Sequence, residues 1–214
     1  MAALDKLCRA YWRPVFQYVR RKGNEFELAR DLTQGFFAHL LEKNQLRYLT
    51  HQGGKFRSFL LTLVNHFLAD ERDKAQALKR GGGKVPVFLD ALSEEERYQV
   101  EPSDGSSPEH LFDRRWAQTV LENAAERLRS EYESSGKAAL FEALQGLPPG
   151  RTGDGPTYVE LAARLGMSES AVTSAIFRLR RRHAELLRAE VAETVTDRSE
   201  IDAEIRYLME VVGS

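Results

Sequence analysis

Apolar residues recur three or four positions apart along most of the chain, which is the spacing of helices that bury one face. Near the start this stripe comprises Leu4, Leu7, Tyr11, Val15 and Val19. Comparable stripes predict further helices, among them 25–42, 56–80 and 108–133. Almost no stretch alternates between apolar and polar residues as a half-buried strand would. The pattern therefore predicts an all-α protein.

Turn-forming stretches divide this helical pattern into parts. GGGK at 81–84 ends the third helix, EPSDGSSP at 101–108 is rich in turn residues, and GRTGDGP at 150–156 forms another loop. We therefore predict two small helical domains joined by a long, partly helical connector. The predicted parts are a domain over 1–80, a connector over 81–136 with a helix at 108–133, a second domain over 137–192, and an acidic amphipathic helix over 193–214.

Composition limits the class of protein. Of the 214 residues, 42% are apolar and 29% charged, which is typical of folded chains and not of disordered ones. The net charge of −1 excludes a uniformly basic protein, so a nucleic-acid surface must come from local segregation of charge. The single cysteine, Cys8, excludes an intramolecular disulfide and fits a reducing cytoplasm. No apolar run is long enough to cross a membrane.

The residue types that enzymes and metal sites need are not grouped. The five histidines are scattered, and with one cysteine they give no metal-ligand spacing. No serine, histidine and aspartate arrangement for nucleophilic catalysis can be recognised either. We therefore expect no enzyme activity, no metal and no cofactor.

The stretch YVELAARLGMSESAVTSAIFRLRRR, residues 158–182, has the spacing of a helix-turn-helix. Thr157 can cap the first helix and Ser168 the second, while Gly166 supplies the backbone freedom of the turn. The residues expected to face inward are Leu161, Ala162, Leu165, Met167, Val172, Ile176 and Leu179.

The second helix of this pair, over 169–182, is predicted to expose small polar residues followed by arginines. This face comprises Ser170, Ala171, Thr173, Ser174, Phe177, Arg178 and Arg181, and it contains no acid. Such a face suits a helix whose N-terminal end enters a DNA major groove. The alternative is a plain pair of bundle helices in which the arginines stabilise a helix C-terminus.

Three segments resemble the extracytoplasmic-function type of sigma-70 family RNA polymerase sigma factors. The family pattern Y-x-E-[IL]-A-x-x-L-G-[MIV]-S is matched over 158–168, and its later R-x-R by Arg178 and Arg180. DLTQGFFAHLL at 31–41 is similar to the family helix that binds the polymerase clamp. FRSFLLTLVNHFLADERDK at 56–74 is similar to the helix that opens the upstream promoter element. The order of these segments adds to the specificity of the match.

The resemblance implies an alternative sigma factor in the bacterial cytoplasm that binds core RNA polymerase and directs promoter-specific initiation. The N-terminal, region 2-like domain would recognise the minus-ten element as a melted strand. The C-terminal, region 4-like domain would recognise the minus-thirty-five element as duplex. Promoter DNA and core polymerase are then the partners, with no membrane involved. The sequence leaves open whether an anti-sigma factor or a regulatory kinase controls the protein.

The resemblance also implies contact residues. Those for polymerase are Asp31, Gln34 and Phe37, although core packing is an equal alternative for Phe37. Those for the melted strand are Lys55, Arg57, Phe59, Asn65 and His66, treated as one patch because Arg57 could equally form a surface salt bridge and His66 could be structural. Those for duplex bases are Ser170, Thr173, Ser174 and Arg178, beside Phe177. Those for phosphates are Arg181 and Arg182 with Arg180, although Arg180 could equally face its own domain.

Four positions depart from the family pattern. Gly35 stands where an acid is usual, which removes one expected polymerase contact. Phe59 replaces tryptophan and His66 replaces asparagine, so we expect base capture at those positions to differ. Thr173 stands where lysine is frequent.

Residues 191–214 combine an apolar stripe with an excess of acids. The stripe comprises Ile201, Ile205, Leu208 and Val212, and Ser199 could cap the helix. One hypothesis is that this tail packs on the C-terminal domain, or on a surface beside it, and screens the DNA-binding face. The alternative, which we favour, is that it completes the core of the small C-terminal domain.

Two other functions fit parts of the sequence. A repressor or activator could use the helix-turn-helix alone and bind an operator without polymerase. A helical interaction protein could have no role on DNA at all. Neither explains why both 31–41 and 56–74 resemble the sigma family.

Overall fold

The computed structural model describes residues 2–42, 54–81, 107–145, 147 and 157–213. These residues form α1 (Ala2–Arg21), α2 (Phe26–Glu42), α3 (Phe56–Gly81), α4 (Pro108–Ser134), α5 (Ala138–Leu144), α6 (Tyr158–Leu165), α7 (Glu169–Ala192), a 3-10 turn (Arg198–Glu200) and α8 (Ile201–Gly213). Over these ranges the extended pairing is limited to one antiparallel bridge, between Lys55 and Val195. The prediction of an all-α protein is confirmed. None of the described helices is long and apolar enough to cross a membrane.

The helix boundaries agree closely with those predicted from the apolar periodicity, except at the C-terminal end of α7. The predicted helices 25–42 and 108–133 correspond within a residue to α2 and α4. The helix predicted over 169–182 continues as α7 to Ala192. The arginine run therefore lies inside a helix and not at its C-terminus. The connector stretch 82–106 and the predicted loop at 150–156 lie outside the described residues.

The chain forms two compact units. The first comprises Met1–Thr119 together with Glu193–Ser214, and the second comprises Val120–Ala192. The predicted domain boundaries stay a prediction, but this grouping differs from them in two ways. The C-terminal segment belongs with the N-terminal residues, and α4 contributes residues to both units.

An aromatic cluster forms the centre of the first unit. Trp116 is fully buried, and the Tyr11 ring stacks on it face to face with 3.7 Å between centroids. Phe56 and Phe112 approach the same ring at 5.6 and 6.0 Å. Packed aromatic pairs stabilise a core beyond the area that they bury. This cluster therefore joins α1, α3 and the start of α4.

A polar cluster joins the same three helices at the protein surface. The Tyr18 hydroxyl lies 2.8 Å from Asn65 Oδ1 and 3.1 Å from Glu109 Oε1. Lys22 Nζ donates a hydrogen bond to Glu109 at 2.8 Å. This hydrogen bond is the main cause that lowers the pKa of Glu109. Burial of the Tyr18 hydroxyl raises its pKa.

The second unit has an aliphatic core of its own. It is built from the later part of α4 and from α5, α6 and α7, through Ala124, Leu128, Phe141, Leu144, Leu161, Ala162, Val172, Ala175, Ile176, Leu179 and Leu186. A buried carboxylate on α7, Glu190, accepts a hydrogen bond from Arg127 on α4. The helix pair α6–α7 is thus held by α4 and α5 on its inner side.

Candidate nucleic-acid interface

Local hydrogen bonds begin α6 as the sequence predicts. The Thr157 side chain accepts from the Glu160 backbone at 3.2 Å, and Glu160 Oε2 accepts from the Thr157 backbone at 2.7 Å. This capping box satisfies two backbone donors that a helix start leaves without partners. The predicted cap is confirmed.

A left-handed glycine makes the turn between α6 and α7. Gly166 has φ 61°, a conformation that other residues adopt at a cost. The backbone NH of Met167 then bonds to the Ala162 carbonyl at 2.9 Å. Ser168 Oγ accepts from the Ala171 backbone at 3.2 Å, so it caps α7 as predicted.

The predicted inner face of the helix pair is confirmed by burial. Leu161 and Val172 are completely buried, and Ile176 and Leu179 nearly so. Leu165 and Met167 are half-buried against the same core. These contacts fix which side of α7 faces solvent.

The predicted outer face of α7 is exposed, except that Ala171 is half-buried. Its exposed members are Ser170, Thr173, Ser174, Phe177, Arg178 and Arg181. Phe177 is 67% exposed, more than any other large apolar side chain in the described residues. Thr173 Oγ1 donates to the Glu169 carbonyl at 3.0 Å, which leaves its oxygen as an acceptor. A ring that is exposed among hydroxyls and guanidinium groups can contact thymine methyl groups.

The arginines of α7 are not equivalent. Arg178 is exposed and forms no ion pair with any residue that the structure describes. Arg181 is exposed and pairs with Glu185 at 3.0 Å. Arg180 points Nη2 at the Leu147 carbonyl, 3.4 Å away. Among the exposed arginines of the run 178–182, Arg178 is therefore the one that no described acid holds.

Arg182 is held by acids of its own unit. Its Nε and Nη2 donate to the two oxygens of Glu131 at 2.8 and 2.7 Å, and Nη1 lies 3.0 Å from Glu185. The hydrogen bond from Arg182 lowers the pKa of Glu131, and that of Arg182 is raised in turn. A DNA phosphate would have to displace Glu131 to bind Arg182.

The predicted strand-binding patch separates into two groups. Asn65 and His66 are exposed on α3, and Phe59 is half-buried. Lys55 and Arg57 are paired with Glu204 of α8, and Arg57 is only 9% exposed. Arg57 does form salt bridges, as the alternative proposed, but they are buried and do not lie at the surface.

The predicted polymerase contacts on α2 also separate. Gln34 is exposed, and Asp31 is partly exposed with Oδ1 3.9 Å from Arg30 Nε. Phe37 is a core residue, 4% exposed and stacked on Trp12 at 5.8 Å. Its assignment as a surface contact is therefore corrected. Two exposed leucines of the same helix, Leu28 and Leu41, were not predicted.

The tail does not complete the core of the small C-terminal domain, so the alternative that we favoured is wrong. The hypothesis that it packs on an adjacent surface and screens the DNA-binding face stays a prediction. The tail helix, α8, belongs to the first unit and not to the small C-terminal core. Ile201, Leu208 and Val211 are buried, and so is Glu204. Glu204 lies three residues after Ile201 and four before Leu208, so its position in the apolar stripe was the available signal that it is buried.

No family model, curated protein or solved structure matches the chain. Its function is therefore inferred from its own residues.

Proposed function

We propose that the chain is an alternative sigma factor of the extracytoplasmic-function type, which binds core RNA polymerase in the bacterial cytoplasm and directs initiation at specific promoters. The observation that carries this proposal is the outer face of α7. Its exposed hydroxyls lie near the helix start, exposed arginines follow, and no acid occurs from 170 to 182.

This face has the chemistry of a recognition helix. Short side chains at Ser170, Thr173 and Ser174 allow the first turns of α7 to approach base edges closely. Arg178 lies one turn further on and can bond to a guanine edge or a phosphate. The rigid α6–α7 pair would hold these groups in one geometry, because its caps and its core are closed within the second unit. On this proposal the second unit recognises the minus-thirty-five element.

The first unit offers the other two surfaces that a sigma factor needs. The motifs at 31–41 and 56–74 lie on α2 and α3, which pack as neighbouring helices of one unit. α2 exposes Gln34 for polymerase, and α3 exposes Asn65 and His66 for the minus-ten strand. Two DNA contacts on one chain raise the effective concentration of the second once the first has formed.

Run-off transcription tests the proposal. Purified core RNA polymerase is incubated with a pool of promoters from the source genome, with and without the chain. We expect start sites that depend on the chain and that Arg178→Ala abolishes. Arg206→Ala removes one exposed arginine from α8 and serves as the control for net charge, so it should leave the start sites in place.

A stand-alone repressor or activator is the second candidate, because the described core residues of the second unit and both partners of the α6 capping box lie within Val120–Ala192. In that case the chain would bind duplex DNA but would neither bind core polymerase nor produce start sites. If it bound neither polymerase nor DNA, both DNA functions would be rejected in favour of a helical interaction protein.

A further inference from the structure

Glu204, on the packed side of α8, is a carboxylate with almost no access to solvent. It is 1% exposed. Its Oε1 accepts a hydrogen bond from Arg57 Nε at 2.6 Å. Its Oε2 lies 2.8 Å from Lys55 Nζ in an ion pair that is not aligned as a hydrogen bond. Burial of a carboxylate is costly unless cations compensate it, and here two do.

Tyr207, one turn after Glu204, covers the flat side of the same arginine. The Arg57 guanidinium carbon lies 4.1 Å from the centre of the Tyr207 ring. The Tyr207 hydroxyl donates a hydrogen bond to Asp113, which also lies 2.8 Å from Arg57 Nη1. α8 thus places an anion along the edge of Arg57 and an aromatic ring on its face.

The backbone that leads to α8 is fixed at the same place. Phe56 N donates to the Thr194 carbonyl at 2.8 Å, and Thr196 N donates to the Gly54 carbonyl at 3.2 Å. These bonds form the antiparallel bridge between Lys55 and Val195. Residues 193–213 therefore cover the start of α3 by backbone pairing and by helix packing together.

An anion on its edge and a flat ring on its face are the contacts by which arginine holds a nucleotide. We propose that Lys55 and Arg57 form a nucleotide site for a melted DNA strand, and that residues 193–213 occupy it as an internal competitor. Glu204 takes the place of a phosphate and Tyr207 the place of a base. The inference rests on the proposed function, because it assigns Lys55 and Arg57 to the strand that the first unit would bind.

Packing alone does not account for this arrangement. A buried ion pair stabilises a fold no more, and often less, than apolar side chains of similar volume. α8 already buries Ile201, Leu208 and Val211, so apolar residues at 57 and 204 would continue an existing contact. Two cations meet at the one carboxylate of Glu204, although Arg57 also has Asp113 beside it. A phosphate in the place of Glu204 would give both cations an anionic partner.

Binding of a fluorescent single-stranded oligonucleotide of mixed sequence, followed by anisotropy at low salt, tests the proposal on the full chain. Glu204→Gln keeps the size of the side chain and removes the carboxylate that Lys55 and Arg57 share, while Asp113 stays beside Arg57. We expect it to strengthen strand binding by roughly three- to tenfold, the usual scale for one charge-assisted contact. Glu210→Gln makes the same change at an exposed position of α8 and should stay within about twofold of the unmodified chain.

The double variant Arg57→Gln, Glu204→Gln identifies the site. If Arg57 receives the strand, the gain of Glu204→Gln is lost in the double variant. The proposal is overturned if folded Glu204→Gln binds no better than Glu210→Gln, or if the gain persists without Arg57.

Hydrogen exchange on the unmodified chain gives a test that no variant can compromise. A saturating oligonucleotide should speed amide exchange in α8 several-fold, since the strand and α8 compete, and should leave the rate in α6 unchanged. Unchanged exchange in α8 would overturn the proposal. If the run-off start sites are present while α8 stays protected, only the competitor is rejected. If neither start sites nor faster exchange in α8 is observed, the sigma function is rejected together with the competitor.

Discussion

Gly166, a single left-handed residue, makes the turn that orients α7. At φ 61° a side chain is strained even though no atom would clash with an added Cβ. We expect Gly166→Ala to lower the free energy of unfolding by about 1 kcal/mol, with strain as the cause. Gly166→Asn should cost less, because asparagine adopts this conformation more readily. Urea denaturation of both variants checks the order, and an equal loss in the two would contradict a conformational origin.

Arg178 and Arg182 lie one turn apart, but we expect them to contribute differently to the affinity for promoter duplex. Arg178 forms no ion pair within the described ranges, whereas Arg182 is bound twice by Glu131. We expect Arg178→Ala to weaken binding to promoter duplex by about 1–3 kcal/mol, and Arg182→Ala to weaken it clearly less.

Glu131→Gln provides the complementary variant. It removes the carboxylate that holds two nitrogens of Arg182 and leaves Glu185 beside the third. Duplex affinity should therefore rise, and the slope of log affinity against log salt should steepen by up to about one. Anisotropy titrations over a salt series measure both quantities. Equal losses for the two alanine variants, with no effect of Glu131→Gln, would show that the ion pair does not restrain Arg182.

Gly35 on α2 lies close to the Phe67 side chain of α3, which limits the space for a side chain at position 35. The sigma resemblance favours an acid at this position, yet an added Cβ would stand 3.3 Å from Phe67 Cζ. That distance is tighter than ordinary van der Waals contact, so glycine lets α2 and α3 pack closely here. Any side chain at this position, an acid included, would require Phe67 to shift by a few tenths of an ångström.

At the scale of elements, Glu109 ties the start of α4 to Tyr18 at the end of α1 and to Lys22 just after it. Its pKa is lowered in the folded chain, chiefly by the hydrogen bond from Lys22. The stability that this provides is present above the usual glutamate pKa and is lost as the pH falls through the lowered value. Its size is below about 1 kcal/mol, because the carboxylate is half-exposed and solvent screens it.

We therefore expect Glu109→Gln to reduce stability near neutral pH and to flatten its decline in acid. Denaturation midpoints over an acidic pH series measure this. Glu122→Gln, at an exposed position of the same helix, is the control and should follow the unmodified chain. A decline in Glu109→Gln as steep as in the control would contradict the linkage.

The elements that could be predicted are those that local chemistry determines. Helix extents, the Thr157 and Ser168 caps and the Gly166 turn follow from neighbours within four residues. The pairing of Arg57 with Glu204 could not be predicted, because these side chains are 147 residues apart. Periodicity fixes which face of a helix is apolar, but not which distant element covers it or which charges it brings.

At the scale of the molecule, tryptophan fluorescence reports the unfolding of the first unit alone. Both of the chain's tryptophans, Trp12 and Trp116, lie in the first unit, whereas far-UV circular dichroism reports helices of both units. Leu161→Ala removes a fully buried side chain from the core of the second unit. It should destabilise that unit by about 2–5 kcal/mol.

In Leu161→Ala we expect the circular dichroism transition to begin at lower urea than the tryptophan fluorescence transition. The matched variant Leu60→Ala, fully buried in the first unit, should shift the fluorescence transition itself. Coincident transitions in Leu161→Ala would mean that the units unfold as one.

The contact between Arg57 and Glu204 also has a consequence for synthesis. The ribosome must add 147 residues after Arg57 before its partner exists, which takes on the order of 10–30 s at common elongation rates. During that interval the nascent first unit lacks the carboxylate that Lys55 and Arg57 share, and Asp113 is the acid that Arg57 can still meet. On the competitor proposal, anionic ligands should therefore reach Lys55 and Arg57 more readily during translation than after α8 has formed.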